Sequence, residues 1–297
     1  MRLFTRNNLD GVVSAALIMK KESVDDVVFA SPRAMQDGEI DVQPGDGITN
    51  LPYHANAGLY FDHHALSESA STNGARGIVR EAPSATHLVF EHYEFEKEGV
   101  FGRLHDMVHF TNRLDSGVLT YEDVLNPTGW MLLGFLLDPR TGLELDETLY
   151  KSLIHCIRNG MKIKDILAMP EVRDATKRYF DQEEESKIVI ASHSKVFRNV
   201  LVTDLSNVDE PIVGNRFLLY AIFPRCSASI RVVRHDVKPD TVVFSVGKSV
   251  FNRSSKVHIG KLMAEYGGGG LEGAGTCQFP SAEAEEKLAE LANRLLD

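Results

Sequence analysis

The segment that most constrains the fold is an apolar run that ends in one acid and two imidazoles. Residues 57–61 read Ala-Gly-Leu-Tyr-Phe, and side chains of this kind suit a buried strand. Asp62, His63 and His64 follow where that strand leaves the sheet. Chemistry in open α/β sheets gathers outside the carboxyl ends of parallel strands, and a carboxylate beside imidazoles offers metal ligands and proton carriers. We therefore predict that these three residues are catalytic. The alternative is a histidine-rich strand end without a function.

Short apolar segments alternate with helical ones in the first half of the chain. Residues 3–5, 27–30 and 47–52 also read as strands, and a helix over 12–19 follows a turn at 8–11. This alternation predicts an α/β domain with a parallel sheet and helices on both faces. Residues 67–80 are rich in Ser, Gly, Asn and Ala, which predicts a mobile loop over the strand ends.

A series of helices is predicted after this loop. The last one is acidic and uninterrupted, which is typical of a connector between domains. We place the boundary near Lys187, with one domain at 1–186 and a second at 187–297. The predicted helices cover residues 83–99, 104–114, 129–137, 149–160 and 163–190.

Beyond Lys187, apolar residues recur at every second position, as in strands, instead of at helical spacing. This change predicts a smaller mixed α/β domain. A helix at 257–266 leads directly into Gly267, Gly268, Gly269 and Gly270. Four glycines allow the backbone to approach a ligand and let its N–H groups converge on an anion. A flexible linker is the alternative. The predicted strands cover residues 200–202, 216–223, 227–233 and 241–246, and a last helix covers 282–296.

Composition narrows the classes of partner. The net charge of −10 disfavours indiscriminate binding to a nucleic-acid backbone. Residues 187–261, however, hold twelve Lys and Arg against five Asp and Glu, which fits a seat for a small anionic substrate. The alternative is that these charges solvate a sheet face. No apolar stretch is long enough for a membrane span and no secretory signal is visible, so we expect a cytoplasmic protein without a membrane partner.

Several motifs together carry a family resemblance over nearly the whole chain. They are Asp10-Gly11, the Asp62-His63-His64 triplet, Asp115 after a helix, and the four C-terminal glycines. With these motifs the chain resembles the DHH phosphoesterase family, and it is most similar to the branch named exopolyphosphatase-like, with a C-terminal DHH-associated domain. The segments that recur in that branch are those at residues 50–54, 61–64, 126–130 and 138–142.

The resemblance implies a hydrolase that binds Mn²⁺ or Mg²⁺ and activates water against phosphodiester or phosphoanhydride bonds, in a cleft between two domains. It also implies that His64 meets the phosphate and suggests a homodimer. Hard cations prefer such oxygen and imidazole ligands. The metal ligands implied by position are Asp10, Asn50, His63 and Asp115. The substrate-binding residues implied are Ser229, Arg231 and the glycines Gly267, Gly268, Gly269 and Gly270.

The chain departs from the family pattern at four positions. Arg6 and Asn8 stand where the family has His and Asp, Asn50 replaces a bridging Asp, and Leu271 replaces a His after the fourth glycine. A neutral amide coordinates a cation through its oxygen but does not neutralise a second one, so we expect a single metal ion. Asp46 is close in sequence and is a substitute ligand only if it reaches from the other end of its strand.

These observations predict a metal-dependent phosphoesterase or phosphoanhydride hydrolase that acts on a small phosphorylated substrate. Polyphosphate, a short oligonucleotide and a cyclic dinucleotide all remain candidates, and a short single-stranded nucleic acid remains a candidate partner. The alternative is a catalytically weakened phosphate- or nucleotide-binding regulatory protein that retains the cleft and has a degenerate metal site.

Overall fold

The computed structural model describes residues 1–64, 74–98, 101–208, 212–235 and 237–296. The chain forms two compact units, Met1–Val118 with Pro127–Tyr179 and Leu119–Asn126 with Phe180–Asp297. The strands are β1 (Arg2–Thr5), β2 (Asp26–Phe29), β3 (Asp46–Thr49), β4 (Ala57–Asp62), β5 (Arg76–Val79), β6 (Ser194–Phe197), β7 (Val200–Asp204), β8 (Ala228–Arg234), β9 (Thr241–Lys248), β10 (Gly269–Gly270) and β11 (Ala274–Pro280). The helices are α1 (Leu9–Ile18), α2 (Pro32–Gln36), α3 (Ala85–His92), α4 (Phe101–Asp115), α5 (Tyr121–Leu125), α6 (Gly129–Leu137), α7 (Glu147–Arg158), α8 (Ile163–Leu167), α9 (Pro170–Ser192), α10 (Leu218–Ile222), α11 (Ile259–Ala264) and α12 (Ala284–Arg294).

The first unit is built on a parallel sheet with the strand order β2-β1-β3-β4-β5. Neighbouring residues of β4 face opposite sides of the sheet. Tyr60 packs in a core cluster with Met35 of α2, while the Phe61 ring contacts His92 of α3. Helices therefore cover both faces, as predicted from the sequence, and the carboxyl ends of all five strands lie at one edge.

Helix α1 is buried on every side, which is expected of a helix that is apolar all round. Asn8 caps its start by accepting a hydrogen bond from the Gly11 N–H. A Cβ at Gly11 would lie 2.1 Å from the Arg6 carbonyl oxygen, so only glycine allows this close approach of helix and strand end. The consequence is that Asp10 lies in the first turn of α1, whereas the sequence predicted a turn at 8–11.

Asp46 begins β3 and lies at the amino end of the sheet, away from the strand ends that carry Asn50 and Asp62. Its carboxylate accepts hydrogen bonds from the Arg2 backbone at 3.1 Å, from the Arg2 guanidinium at 2.6 Å and from the Gln43 N–H at 2.9 Å. The side chain is 8% exposed. Asp46 is thus a structural partner of Arg2 and does not substitute for a metal ligand at the carboxyl edge.

We expect Asp46→Asn to destabilise the protein by about 1 kcal/mol, because it weakens a hydrogen-bonded charge pair in which Asp46 is buried and Arg2 is partly exposed. Burial alone would raise the pKa of Asp46, but the hydrogen bonds from Arg2 and Gln43 lower it below the usual value. The stabilisation is therefore present above the ordinary Asp pKa of about 3.9 and is lost as the pH falls through the lower folded-state pKa. Urea unfolding at pH 7 and pH 3 measures both effects. Equal stability of variant and wild type at pH 7 would contradict this role.

The second unit is built on a mixed sheet with the strand order β10-β11-β9-β8-β7-β6. Strands β7 and β8 are parallel and the other neighbours are antiparallel. Alternate residues of β8 and β9, including Ile230 and Phe244, pack against α11 and α12 in one core cluster. Leu201 of β7 faces the other side and packs against Leu218 and Leu219 of α10.

Several sequence predictions of local structure are corrected. Residues 216–223 were predicted as a strand, yet Leu218–Ile222 forms α10, because a short continuous apolar run does not distinguish a helix from a strand. The predicted loop at 67–80 contains β5 at Arg76–Val79, and its residues 67–73 lie outside the described part. Pro170 separates the predicted helix 163–190 into α8 and α9. Within the described residues, no helix combines the length and the apolar character needed to cross a bilayer.

Candidate metal centre

The carboxyl edge of the first sheet brings together the polar residues that follow β4. The Asp62 carboxylate accepts a hydrogen bond from His64 Nδ1 at 2.9 Å and lies 3.3 Å from the Tyr60 hydroxyl. The His63 and His64 rings are in contact, with centroids 3.9 Å apart and planes tilted by 40°. Asp62 is buried, and His64 retains 31% side-chain exposure. Asp62 therefore fixes the Nδ1 edge of the His64 imidazole, and part of that ring remains accessible.

Asp10 is fixed by the amino end of α3. Its Oδ1 accepts a hydrogen bond from the Thr86 N–H at 2.7 Å, and its Oδ2 accepts one from the Ala85 N–H at 3.0 Å. The first N–H groups of a helix have no partner within the helix and carry a partial positive charge. The end of α3 thus orients this buried carboxylate and offsets part of the cost of burying its charge, and each oxygen keeps a further lone pair.

Asp115, the last residue of α4, completes the group. Its Oδ2 lies 2.8 Å from His63 Nε2. One turn earlier on the same helix, the side-chain carbonyl oxygen of Asn112 accepts a hydrogen bond at 2.6 Å from Ser84, which caps α3. The pair joins the helix that holds Asp10 to the helix that carries Asp115. Its consequence is a fixed spacing between the two carboxylates on either side of His63.

His63 is the positive centre of this group. Its Nδ1 is buried without a hydrogen-bond partner and lies 3.8 Å from both Asp10 and Asp62. Burial alone would lower its pKa, but the hydrogen bond to Asp115 and the three surrounding carboxylates raise the pKa of His63 to about 9. In the metal-free protein, an imidazolium therefore supplies positive charge where these carboxylates converge, and a cation bound there would displace one ring proton.

The two flanking carboxylates have different environments. Burial raises the pKa of Asp10, and the negative charge of Asp115 raises it further. Burial would also raise the pKa of Asp115, but its hydrogen bond with His63 and the positive charges of His63 and Arg6 lower it. A nearby cation stabilises most a carboxylate whose charged form is disfavoured by burial and by a neighbouring negative charge. Asp10 is such a carboxylate.

Asn50 lies beside this group in a left-handed backbone conformation with φ of 57°, which Asn tolerates better than most residues. It is 1% exposed, and its amide nitrogen donates to Asn8 Oδ1 at 3.1 Å. Asn8 Oδ1 also accepts the Gly11 N–H, so the Asn50 group that faces it must be the NH₂. Asn50 Oδ1 is left buried without a hydrogen-bond partner.

The residues present fit a divalent cation. Asp10, His63 and Asp115 place potential ligand atoms within 4.8 Å of one another, and Asp62, His63 and His64 form a second such group that shares His63. Two buried atoms here, His63 Nδ1 and Asn50 Oδ1, form no hydrogen bond within the described residues. Carboxylate, amide and imidazole donors suit Mn²⁺ and Mg²⁺. We conclude that these residues can hold one such ion.

The substrate-binding residues implied by the resemblance lie in the second unit. Arg231 of β8, Ser245 of β9, Thr276 of β11 and Gly269 of β10 form one row across the sheet by their pairing register. Three strand spacings, about 14 Å, separate Arg231 from Gly269. The glycine segment is not a free loop, because Gly269 and Gly270 pair with β11 as an edge strand.

Arg231 and Ser229 point to the face of the sheet that α10 covers. The Ser229 hydroxyl lies 2.7 Å from the Tyr220 hydroxyl. Arg231 Nε is buried without a hydrogen-bond partner, and burial lowers the pKa of this guanidinium. Arg231 also lines a small cavity of about 20 Å³ beside Thr203 and Leu219. That volume suits about one water molecule, which would supply the missing acceptor.

Sequence reasoning missed the residues that position the ligands. Ser84, Thr86 and Asn112 have no motif of their own, and their roles depend on α3 and α4 meeting at the strand edge. Ser84 caps α3, which begins at Ala85, two residues after the predicted start at 83. Nothing in the sequence indicated that the same helix end would also bind Asp10.

Comparison with known proteins supports a family assignment. The pGpG-specific phosphodiesterase PggH from Vibrio cholerae is 38% identical to this chain, with a TM-score of 0.83 and coverage of 99% of this chain and 98% of that one. RecJ from Thermus thermophilus in complex with Mn²⁺ is 12% identical, with a TM-score of 0.60 and coverage of 100% and 52%.

A DHH domain described as belonging to a family of ribosomal proteins is 14% identical, with a TM-score of 0.54 and coverage of 100% and 86%. These two likenesses at low identity concern the fold alone. No protein-family profile and no curated sequence matches the chain. The 38% identity over almost the full length of both chains is the decisive comparison. By that measure the chain belongs to the DHH-domain phosphodiesterases.

Proposed function

We propose that this chain is a metal-dependent phosphodiesterase that hydrolyses the linear dinucleotide pGpG to two molecules of GMP. The observation that carries this proposal is the 38% identity, over 99% of the chain, to a phosphodiesterase described as specific for pGpG. The geometry at the strand edge supports it, since two carboxylates and an imidazole converge there closely enough to share one ion.

The reaction adds one water across the internal phosphodiester bond. The water oxygen forms a bond to phosphorus, the bond from phosphorus to the 3′ oxygen breaks, and that oxygen takes up a proton. A divalent ion held by Asp10, His63 and Asp115 would supply Lewis-acid polarisation of the phosphate and would lower the pKa of a bound water. We assign Asn50 as a further ligand through its unpartnered Oδ1.

The chain's own residues perform the remaining tasks. Asp62 accepts the His64 Nδ1–H and so orients the imidazole, and the partial exposure of His64 lets its other nitrogen meet a phosphate oxygen. The same pairing retains a proton on Nδ1 and directs proton exchange to Nε2. The binding of the far end of the substrate by Ser229, Arg231 and the glycines Gly267 to Gly270, which the family resemblance implies, stays a prediction.

A linear dinucleotide is the preferred substrate among the candidates. Polyphosphate, the substrate suggested by the exopolyphosphatase-like branch, contains no nucleobase that a protein could recognise. A cyclic dinucleotide has no terminal phosphate. We therefore favour pGpG over both.

The test incubates the protein with pGpG, cyclic di-GMP or polyphosphate and measures the released GMP or phosphate by chromatography. We expect Mn²⁺-dependent conversion of pGpG to GMP, with slower or no product from cyclic di-GMP and polyphosphate, and loss of turnover in excess EDTA. Release of phosphate from polyphosphate at a rate equal to or above that of pGpG would contradict the proposed substrate.

The neutral side chains of Asn8 and Asn50 favour a second candidate function, a regulatory protein that binds the dinucleotide without cleaving it. It predicts that pGpG binds with a measurable heat while no GMP forms at any Mn²⁺ concentration. That result would replace the enzymatic proposal by the regulatory one.

A further inference from the structure

Arg6 is a cation at the carboxyl edge that the proposed mechanism has not used. It follows directly after β1, which lies between β2 and β3 in the sheet. Its chain position therefore matches those of Asn50 after β3 and Asp62 at the end of β4. The side chain is partly buried. The parallel arrangement of the strands thus directs Arg6 to the edge that holds the candidate metal centre.

The two arginines that flank β1 differ in their partners. Arg2, on the first residue of the strand, donates hydrogen bonds to Asp46 from Nε and from its terminal nitrogen. Arg6, just past the last residue, forms no side-chain hydrogen bond or ion pair with any residue in the described part of the chain. A partly buried guanidinium loses some of its water, and without a hydrogen-bond acceptor from the protein that loss is only partly offset. The arrangement therefore favours a ligand for Arg6 from outside the fold.

The charge of Arg6 acts on the metal centre itself. Burial would raise the pKa of Asp115, but the hydrogen bond and charge of His63 lower it, and the charge of Arg6 lowers it further. No such charge comes from the other two strand-edge neighbours, since Asn8 and Asn50 are amides bonded to each other. Arg6 consequently adds positive potential on the side of the site where these amides lie.

We propose that the Arg6 guanidinium binds a phosphate oxygen of the substrate beside a single divalent ion, and so supplies the positive charge that a second ion would otherwise give. This inference rests on the proposed function, because it assigns a role in binding the phosphate of the same substrate. Arginine suits that role, since its planar fork donates two parallel hydrogen bonds to phosphate and its charge is permanent.

The test compares Arg6→Gln and Arg6→Lys with the wild type and with Arg33→Gln, an exposed arginine of the same unit that pairs with Asp37. Calorimetry titrates GMP, which cannot be hydrolysed further, into the Mn²⁺-loaded protein. We expect Arg6→Gln to weaken GMP affinity about 10- to 100-fold, as expected for loss of hydrogen bonds to a charged group. The GMP affinity of Arg6→Lys should lie between those of the wild type and Arg6→Gln, and the GMP affinity of Arg33→Gln should match that of the wild type.

A second titration, of Mn²⁺ into the metal-free proteins, separates phosphate binding from support of the metal site. We expect one ion per chain, with equal or higher Mn²⁺ affinity in Arg6→Gln because a repelling charge is removed. Two ions per wild-type chain, unchanged GMP affinity in Arg6→Gln, or loss of Mn²⁺ binding in that variant would each overturn the inference.

Inorganic phosphate as a third ligand separates this inference from the proposed substrate. If the wild type neither cleaves pGpG nor binds GMP, but binds phosphate in a manner that Arg6→Gln weakens, the dinucleotide proposal fails and the assignment of Arg6 stands. Phosphate and GMP binding that are both insensitive to Arg6→Gln would contradict the assignment whatever the substrate.

Discussion

Replacing Asp115 by alanine is expected to remove Mn²⁺ binding and to reduce pGpG hydrolysis by a factor on the order of 10³ or more. Asp115 contributes one of the three convergent ligand groups and also holds His63 through a hydrogen bond of 2.8 Å. The substitution therefore removes a ligand and releases the imidazole of another. Calorimetry with Mn²⁺ and initial rates of GMP formation measure the two losses.

A matched control lies on the same helix. Asp106 of α4 has a side chain that is 75% exposed, so Asp106→Ala removes an equal charge and volume without touching the metal centre. We expect this variant to retain Mn²⁺ binding and turnover. Full Mn²⁺ binding in Asp115→Ala, or equal losses in both variants, would show that Asp115 is not a ligand.

Replacing His63 by alanine is expected to abolish Mn²⁺ binding and, in the metal-free protein, to lower the free energy of unfolding by about 3 kcal/mol at pH 7. The imidazolium lies between Asp10, Asp62 and Asp115, and its removal leaves these carboxylates without a compensating charge. Urea unfolding in EDTA gives the free energies. The side chain of His105 is 51% exposed, so His105→Ala is the control and should retain wild-type stability.

This difference in stability should depend on pH in a defined direction. Burial would lower the pKa of His63, but the carboxylates raise it to about 9, so the folded state holds the proton more tightly than the unfolded chain with its pKa near 6.5. The stabilisation by His63 is therefore complete below about pH 6.5 and is lost as the pH rises through about 9. The assigned protonation of His63 would be contradicted if the difference in free energy of unfolding between the wild type and His63→Ala increased from pH 7 to pH 10.

The parts of the fold that could be predicted are those with a strong local signal. The apolar run at 57–61 ends at Asp62 as β4 does, and parallel strands then require its polar end to lie beside those of β1 and β3. The mixed α/β character of the second unit followed from the change in apolar period. The four glycines were predicted to bring backbone N–H groups towards an anion, which stays a prediction. The pairing of Gly269 and Gly270 as a strand could not be predicted, because glycine composition does not reveal which backbone groups will meet.

The supporting contacts of the candidate site could not be predicted, because they join residues far apart in sequence. Asp10 and Thr86 are 76 positions apart, and their bond exists only because α3 begins at the carboxyl edge of the sheet. The role of Asp46 likewise depends on β1 and β3 being neighbours, which brings Arg2 to its carboxylate. In both cases a polar side chain is explained by strand order and helix placement, and a single sequence carries little signal of either.

We have proposed that Asp10, His63 and Asp115 hold a catalytic divalent ion. Anomalous diffraction from crystals grown with Mn²⁺ tests it most directly. We predict one strong anomalous peak per chain at about 2.0–2.3 Å from a ligand atom of each of these three residues. A map with no peak among them, or with Mn²⁺ bound elsewhere in the chain, would contradict the assignment.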